Sequence, residues 1–249
     1  MRTFGLIGFP LKQSFSPKYF SDKFKQENIR AEYELFPIKH ISELPSLIKT
    51  YPNLEGLNVT IPYKEEIIEY LDDIKGDAKY IKAVNTIVIK RKKGIVTLIG
   101  YNTDIEGFKA SIEKRLNSSM KRALILGTGA TSKTVSWVLE KYNIETTFAT
   151  RHRSNKKSYI TYNELTEEII RNNQIIINTT PQGMYPEIEN YPSIPYSEIT
   201  REHLLFDVIY NPSLTKFLEF GKKAGAEIVN GYEMFKYQAE ASWQLWNNS

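Results

Sequence analysis

Arg122-Ala123-Leu124-Ile125-Leu126, running directly into Gly127-Thr128-Gly129-Ala130-Thr131-Ser132, reads as a buried strand, a glycine turn and the start of a helix. A short unbroken apolar run bounded by glycine is the pattern of a strand covered on both faces. Glycines at the first and third positions of the turn let the backbone approach a ligand closely. The next helix offers unpaired N–H groups and the positive end of its dipole, which is how a dinucleotide pyrophosphate is held. The third glycine of the general fingerprint is Ser132 here, so for the loop taken alone a tight strand-to-helix turn with no ligand is the competing reading.

Downstream of this loop the expected elements are a helix to about Tyr142, a strand over 145–149, a helix near 164–171, and strands over 174–178 and 204–208. That alternation is the order of a doubly wound nucleotide fold. In such a fold the end of the second strand faces the adenosine ribose. An acid there selects NAD, whereas arginine accommodates the 2′-phosphate of NADP. The chain reads Ala149-Thr150-Arg151-His152-Arg153 at that place, with no acid. A guanidinium forks a phosphate with two parallel hydrogen bonds, so Arg151 and Arg153 are the natural selectors of NADP. A solvated basic turn is the plainer account of the same charges.

Upstream, short β-branched runs again alternate with amphipathic stretches. Strands are expected over 3–8, 31–36, 56–59, 86–90 and 95–100, with a helix from Ser16-Pro17 through about Glu27, Ser16 serving as its N-cap. A polar helix over about 104–117 joins the two halves. A closing stretch, 231–246, has helical period and is expected to return to the first half. The 249 residues suit two modest domains, at roughly 100–200 residues per domain. The division expected is a first domain of residues 1–103 plus 231–249 and a nucleotide domain of residues 104–230.

Composition narrows the chemistry. With 0 cysteines, disulfides, thiolate zinc sites and cysteine nucleophiles are excluded. His40, His152 and His203 are scattered outside any metal-ligand spacing, so no metal is expected. A hydrophobic fraction of 41% with 25% charged residues is ordinary globular composition, and no apolar run is long enough to span a bilayer. The apolar stretch Met1–Gly8 is too short for a signal-peptide core. A cytoplasmic protein with small-molecule partners, no nucleic acid and no membrane is expected, as monomer or homodimer. The net charge of +4 favours small anions as readily as nucleic acid.

Four polar constellations in the first half fall where strands end and helices begin, the place where open α/β sheets gather ligands. Ser14 and Ser16 precede a helix N-terminus and could cradle a carboxylate. Asn58-Val59-Thr60-Ile61-Pro62-Tyr63-Lys64 ends a strand, and Pro62 leaves Lys64 at a helix start, where its charge opposes the helix dipole. Ala83-Val84-Asn85-Thr86 sets an amide and a hydroxyl ahead of a strand. Asn102-Thr103-Asp104 closes another, with a capping role open to Asp104. Each has a plain reading as a cap or an exposed surface group.

In that order, and with Asn178-Thr179-Thr180-Pro181-Gln182-Gly183-Met184, Asp207-Val208-Ile209-Tyr210-Asn211-Pro212, and Gly231-Tyr232-Glu233-Met234 with Gln238 further on, the chain resembles the shikimate dehydrogenase family over nearly its whole length. The resemblance implies an NADP-dependent oxidoreductase that interconverts 3-dehydroshikimate and shikimate in aromatic amino acid and chorismate biosynthesis. It implies two α/β domains, with Lys64 and Asp104 as the catalytic pair. Ser14, Ser16, Thr60, Asn85, Tyr210 and Gln238 would hold the substrate. Gly127, Gly129, Ala130, Thr150, Arg151, Val208 and Gly231 would surround the cofactor. Three positions depart from the family pattern: Gln13 stands for a histidine, Thr150-Arg151-His152 for Asn-Arg-Thr, and Gly129-Ala130-Thr131 for Gly-Gly-Ala.

Oxidising a secondary alcohol requires a group that takes the hydroxyl proton or stabilises the alkoxide, and Lys64 can do either. Lys64 and Asp104 are read as one coupled acid–base unit, with closure bringing substrate and cofactor groups together. Two other readings stand beside this one. The first is a quinate/shikimate dehydrogenase using both NAD and NADP; the second is a non-catalytic NADP-binding sensor module. The related glutamyl-tRNA reductase type needs a cysteine thioester, which this chain cannot form.

Overall fold

The structure, a computed structural model, describes residues 1–11 and 14–248; Gln13, singled out above, lies outside them. In chain order the elements are β1 (Arg2–Ile7), α1 (Ser16–Gln26), β2 (Ala31–Phe36), α2 (Leu44–Thr50), β3 (Leu54–Val59), β4 (Asp73–Ile74), α3 (Ala78–Ile81), β5 (Thr86–Lys92), β6 (Ile95–Tyr101), α4 (Asp104–Ile112), β7 (Arg122–Leu126), α5 (Ala130–Lys141), β8 (Glu145–Thr150), β9 (Tyr159–Thr161), α6 (Glu167–Asn172), β10 (Ile175–Asn178), β11 (Leu204–Asp207), α7 (Lys216–Lys223), β12 (Glu227–Val229) and α8 (Tyr232–Asn247). The chain divides into two compact units, Met1–Thr103 with Ala239–Ser249, and Asp104–Gln238.

The second unit is built on the quoted strand. Its sheet has the order β12-β11-β10-β7-β8-β9, every pair parallel. This is the doubly wound order, with chain direction across the sheet reversing between the adjacent strands β7 and β10. Alternation along β7 explains why no polar residue interrupts it. Ala123 and Ile125 join a core with Phe108, Val135, Leu139 and Phe206, while Leu124 and Leu126 join another with Ile170, Phe217 and Leu218. Both faces are covered, as a parallel sheet requires.

The first unit carries a mixed sheet of order β2-β1-β3-β5-β6-β4. β2, β1 and β3 are parallel, whereas β5 runs antiparallel to both β3 and β6. One face packs Ile7, Leu57, Val59, Ile87 and Ile89 with Leu44 and Ile48 of α2. The other packs Phe4, Leu6 and Val88 with Phe20 and Phe24 of α1 and with Trp243 and Trp246 of α8. Trp246 stacks on Phe4, its ring centroid 4.8 Å away, and its indole donates to the Ile87 carbonyl at 3.0 Å. The return of the closing helix to the first sheet is therefore seen in its second half.

Two expectations change. The break within α8 falls after Gln238, not before Gly231, because Met234 is buried in a core of the second unit. A single periodic run of 16 residues gives no sign of where its partner changes. Ser16 is also not the N-cap of α1. It is the first helical residue, with Phe15 at the cap position, and Ser14 Oγ accepts the Ser16 N–H at 3.2 Å. No helix among the described residues is long and apolar enough to cross a membrane.

Candidate active site

The topology of the first sheet collects the four constellations on one edge. β1 and β3 end there, β5 begins there because it runs antiparallel, and β6 ends there. The loop after β1 carries Ser14 and leads to Ser16; the loop after β3 carries Thr60 and Lys64. Backbone hydrogen bonds lace them together: Thr60 N–H to the Ile7 carbonyl at 2.9 Å, Val59 N–H to Asn85 at 2.8 Å, and Asn85 N–H to Tyr101 at 3.0 Å. Lys64 is partly buried and lies in a turn rather than at a helix start, its carbonyl accepting the Val84 N–H at 2.8 Å. The family resemblance had placed Ser14, Ser16, Thr60, Lys64 and Asn85 in one site, and the fold of this unit brings them to one edge.

The Asn85 side chain has a defined orientation. Its Oδ1 receives the Thr103 backbone N–H at 2.7 Å, and a backbone N–H can only donate. The hydroxyls of Thr86 and Thr103 lie 3.1 Å from the same oxygen. The amide therefore presents Nδ2 as its donating end.

In the second unit, Asp104 is buried as the first residue of α4. Gly127 has a φ of +113°, open to glycine at no steric cost, and a Cβ there would sit 2.8 Å from Thr179 Oγ1. Thr179 follows β10, so Gly127 lies at the reversal between β7 and β10, where doubly wound sheets bind ligands. Gly129 is the cap residue of α5, without a side-chain cap, and open space surrounds the position of a Cβ on it. A buried Ser132 bonds to Thr179 Oγ1 at 2.7 Å; it packs the helix against the next loop, as the missing third glycine would. Thr150 ends β8, and Arg151 and Arg153 are exposed just beyond it. An uncapped helix start, an open glycine and two guanidinium groups at the second strand are the features a phosphorylated dinucleotide needs.

Two glycines of this unit stand where another backbone presses close, Gly231 of the quoted motifs and Gly107 outside them. Gly231 touches the backbone of Val208, and a Cβ on it would stand 2.0 Å from the Val208 carbonyl oxygen. Gly107 of α4 was not singled out at all. A Cβ there would approach the Met234 carbonyl to 2.6 Å and Gln238 Cβ to 3.0 Å, so its bareness sets where Gln238 of α8 stands. Tyr210 packs on Phe235 with ring centroids 5.0 Å apart. Asp104, Tyr210 and Gln238 belong to the second unit, whereas Ser14, Ser16, Thr60, Lys64 and Asn85 belong to the first. Among the described residues, no group of three or more His, Asp or Glu is placed to hold a metal ion.

A doubly wound dinucleotide fold with arginines where an adenosine 2′-phosphate would lie, in one chain with an α/β unit whose sheet edge gathers hydroxyls, an amide and a lysine, defines the class: a dinucleotide-dependent dehydrogenase of a small hydroxylated acid. Comparison with known proteins gives the family. Residues 6–87 match the model of the shikimate dehydrogenase substrate binding domain. The chain is 36% identical to a shikimate dehydrogenase (NADP(+)) of Methanococcus vannielii, over 97% of this chain and 90% of that one. Shikimate dehydrogenase 1 of Peptoclostridium difficile is 36% identical, with a TM-score of 0.85 over 100% of this chain and 92% of that one. The shikimate 5-dehydrogenase of Thermus thermophilus, solved in complex with NADP(H) and shikimate, is 25% identical, with a TM-score of 0.84 over 100% and 94%. This chain belongs to the shikimate dehydrogenase family.

Proposed function

We propose that this chain catalyses the reversible, NADP-dependent reduction of 3-dehydroshikimate to shikimate, acting in the cytoplasm in the supply of chorismate and aromatic amino acids. The observation that carries the reading is the convergence of Ser14, Ser16, Thr60, Lys64 and Asn85 on one edge of the first sheet, in a segment largely matched by the family's substrate binding domain.

In this reading Ser14, Ser16 and the Tyr210 hydroxyl hold the substrate carboxylate with neutral donors. Thr60, Asn85 and Gln238 hold its hydroxyls. Lys64 and Asp104 are the catalytic pair: Lys64 takes the hydroxyl proton in the oxidation direction and returns it in the reduction, and Asp104 supports the charge on the amine. NADP, when bound, supplies the nicotinamide that accepts or returns the hydride at the ring carbon. Gly127, Gly129 and Ala130 at the start of α5 receive the pyrophosphate. Thr150, Arg151 and Arg153 receive the 2′-phosphate, and Val208 and Gly231 line the remainder of the cofactor. Residues 1–103 with the end of α8 form the substrate domain, and the second unit is the nucleotide domain.

The test is a spectrophotometric assay of the whole chain with shikimate or quinate, each with NADP or NAD. The reduced-nicotinamide band should rise fastest with shikimate and NADP. No rise with any pair would reduce the protein to a nucleotide-binding module, and equal rates with NAD would remove Arg151 and Arg153 as selectors.

A further inference from the structure

The end of β8 lacks the acid that selects NAD, but the fold sets an acid beside it. β8 and β9 pair in parallel, with Phe148 opposite Tyr159, Ala149 opposite Ile160 and Thr150 opposite Thr161, so the two strands end side by side. Arg151 and Arg153 follow one end. A single 3₁₀ turn, Tyr162–Glu164, follows the other. Arg153 and Glu164 thus stand equally far along the chain from two paired threonines, and Arg151, Arg153 and Glu164 are all exposed.

The turn fixes the carboxylate in place. Glu164 Oε2 accepts the Thr161 N–H at 2.7 Å and the Thr161 hydroxyl at 2.8 Å. This capping box folds the side chain back onto the end of β9. The two donors, the backbone N–H foremost, hold the carboxyl below its usual range, and Arg153 is near enough to add to the effect. Glu164 is therefore an anion throughout the neutral range. Lys156, from the same basic run as the arginines, is drawn elsewhere: its ammonium lies 5.1 Å from the ring centroid of Tyr159, the first residue of β9 and not the last.

We propose that Glu164 is a specificity-determining residue for the cofactor: anchored on the end of β9, its carboxylate competes for Arg153 and repels the 2′-phosphate, so NADP is held less tightly than the two arginines alone would hold it. The inference rests on the reading of Arg151 and Arg153 as ligands of that phosphate. NAD carries a neutral hydroxyl in place of the phosphate and feels little of the repulsion. Glu164 thus narrows the margin between the two cofactors. Because all three groups are exposed, the effect is modest and sensitive to salt.

Glu164→Gln removes the charge and keeps an oxygen that can accept from Thr161. Calorimetric titration of the whole chain should show a Kd for NADP lowered about 2- to 5-fold at low ionic strength, the range for one exposed charge pair. The Kd for NAD should not move. The gain for NADP should vanish at about 1 M salt, where charges are screened within about 3 Å. An unmoved Kd for NADP, an equal gain for both cofactors, or a gain that survives high salt would overturn the proposal. Arg151→Ala separates the two layers. If it leaves the Kd for NADP untouched, the reading of the arginines falls. If it raises that Kd while Glu164→Gln does not lower it, only the role of Glu164 falls.

Discussion

At the end of β11 the Asp207 carboxylate is wholly buried and accepts from Thr215 Oγ1 at 2.6 Å, the Ile209 N–H at 3.0 Å and Asn178 Nδ2 at 3.1 Å. It ties the segment bearing Val208 and Tyr210 to the cap of α7 and to β10. Burial pushes its carboxyl up to about 7 against the lowering effect of those donors. The folded state therefore binds a proton that the unfolded chain, titrating near 3.8, releases across that window. This contribution to stability is complete below the lower value and is lost as pH rises through the higher one. Asp207→Asn cannot titrate. Its urea midpoint relative to the parent's should climb between about pH 4 and about pH 7, and a difference that does not change with pH would contradict the assignment. The sequence displays Asp207 within a recognisable motif, but only its burial shows that it is a candidate titrating group.

Elements were legible where their pattern was long or their residues singular. β7 and its glycine turn, β8 with arginine just beyond its end, and the periodic run of α8 all stand close to where the sequence places them. β4, β9 and β12, with two or three residues each, are too short to show a period. The lysine turn escaped for another reason: Pro62 marks the end of a strand but does not fix the conformation of the residues after it. The bonds of Ser242 to Thr103, Thr86 and Asn58 span separations of 139 to 184 residues in the chain, and no local pattern encodes them. Gly56 and Gly107 look like ordinary glycines until another element is seen pressed against them. Gly56 faces the Trp246 indole, which would lie 2.2 Å from a Cβ. Trp246 is thus the anchor of α8 on the first sheet. Trp246→Ala should cost about 3–5 kcal/mol, the usual range for deleting a buried large aromatic side chain. Denaturant unfolding reads this directly, and an unmoved midpoint would show that α8 does not depend on this contact.

The molecule as a whole divides its labour between two units of one chain. The first supplies hydroxyls, an amide and a lysine at a sheet edge; the second supplies a glycine turn, a helix start and arginines. Family membership was readable because these parts recur in order along the chain, although each alone had an ordinary structural explanation. In the proposed function Lys64 handles the proton of the alcohol and does little to hold the substrate. Steady-state kinetics of Lys64→Ala with shikimate and NADP test it most directly. Turnover should fall by about 10²–10⁴, the usual worth of a positioned acid–base group, with the KM for shikimate nearly unchanged. Turnover close to that of the parent at neutral pH would contradict it.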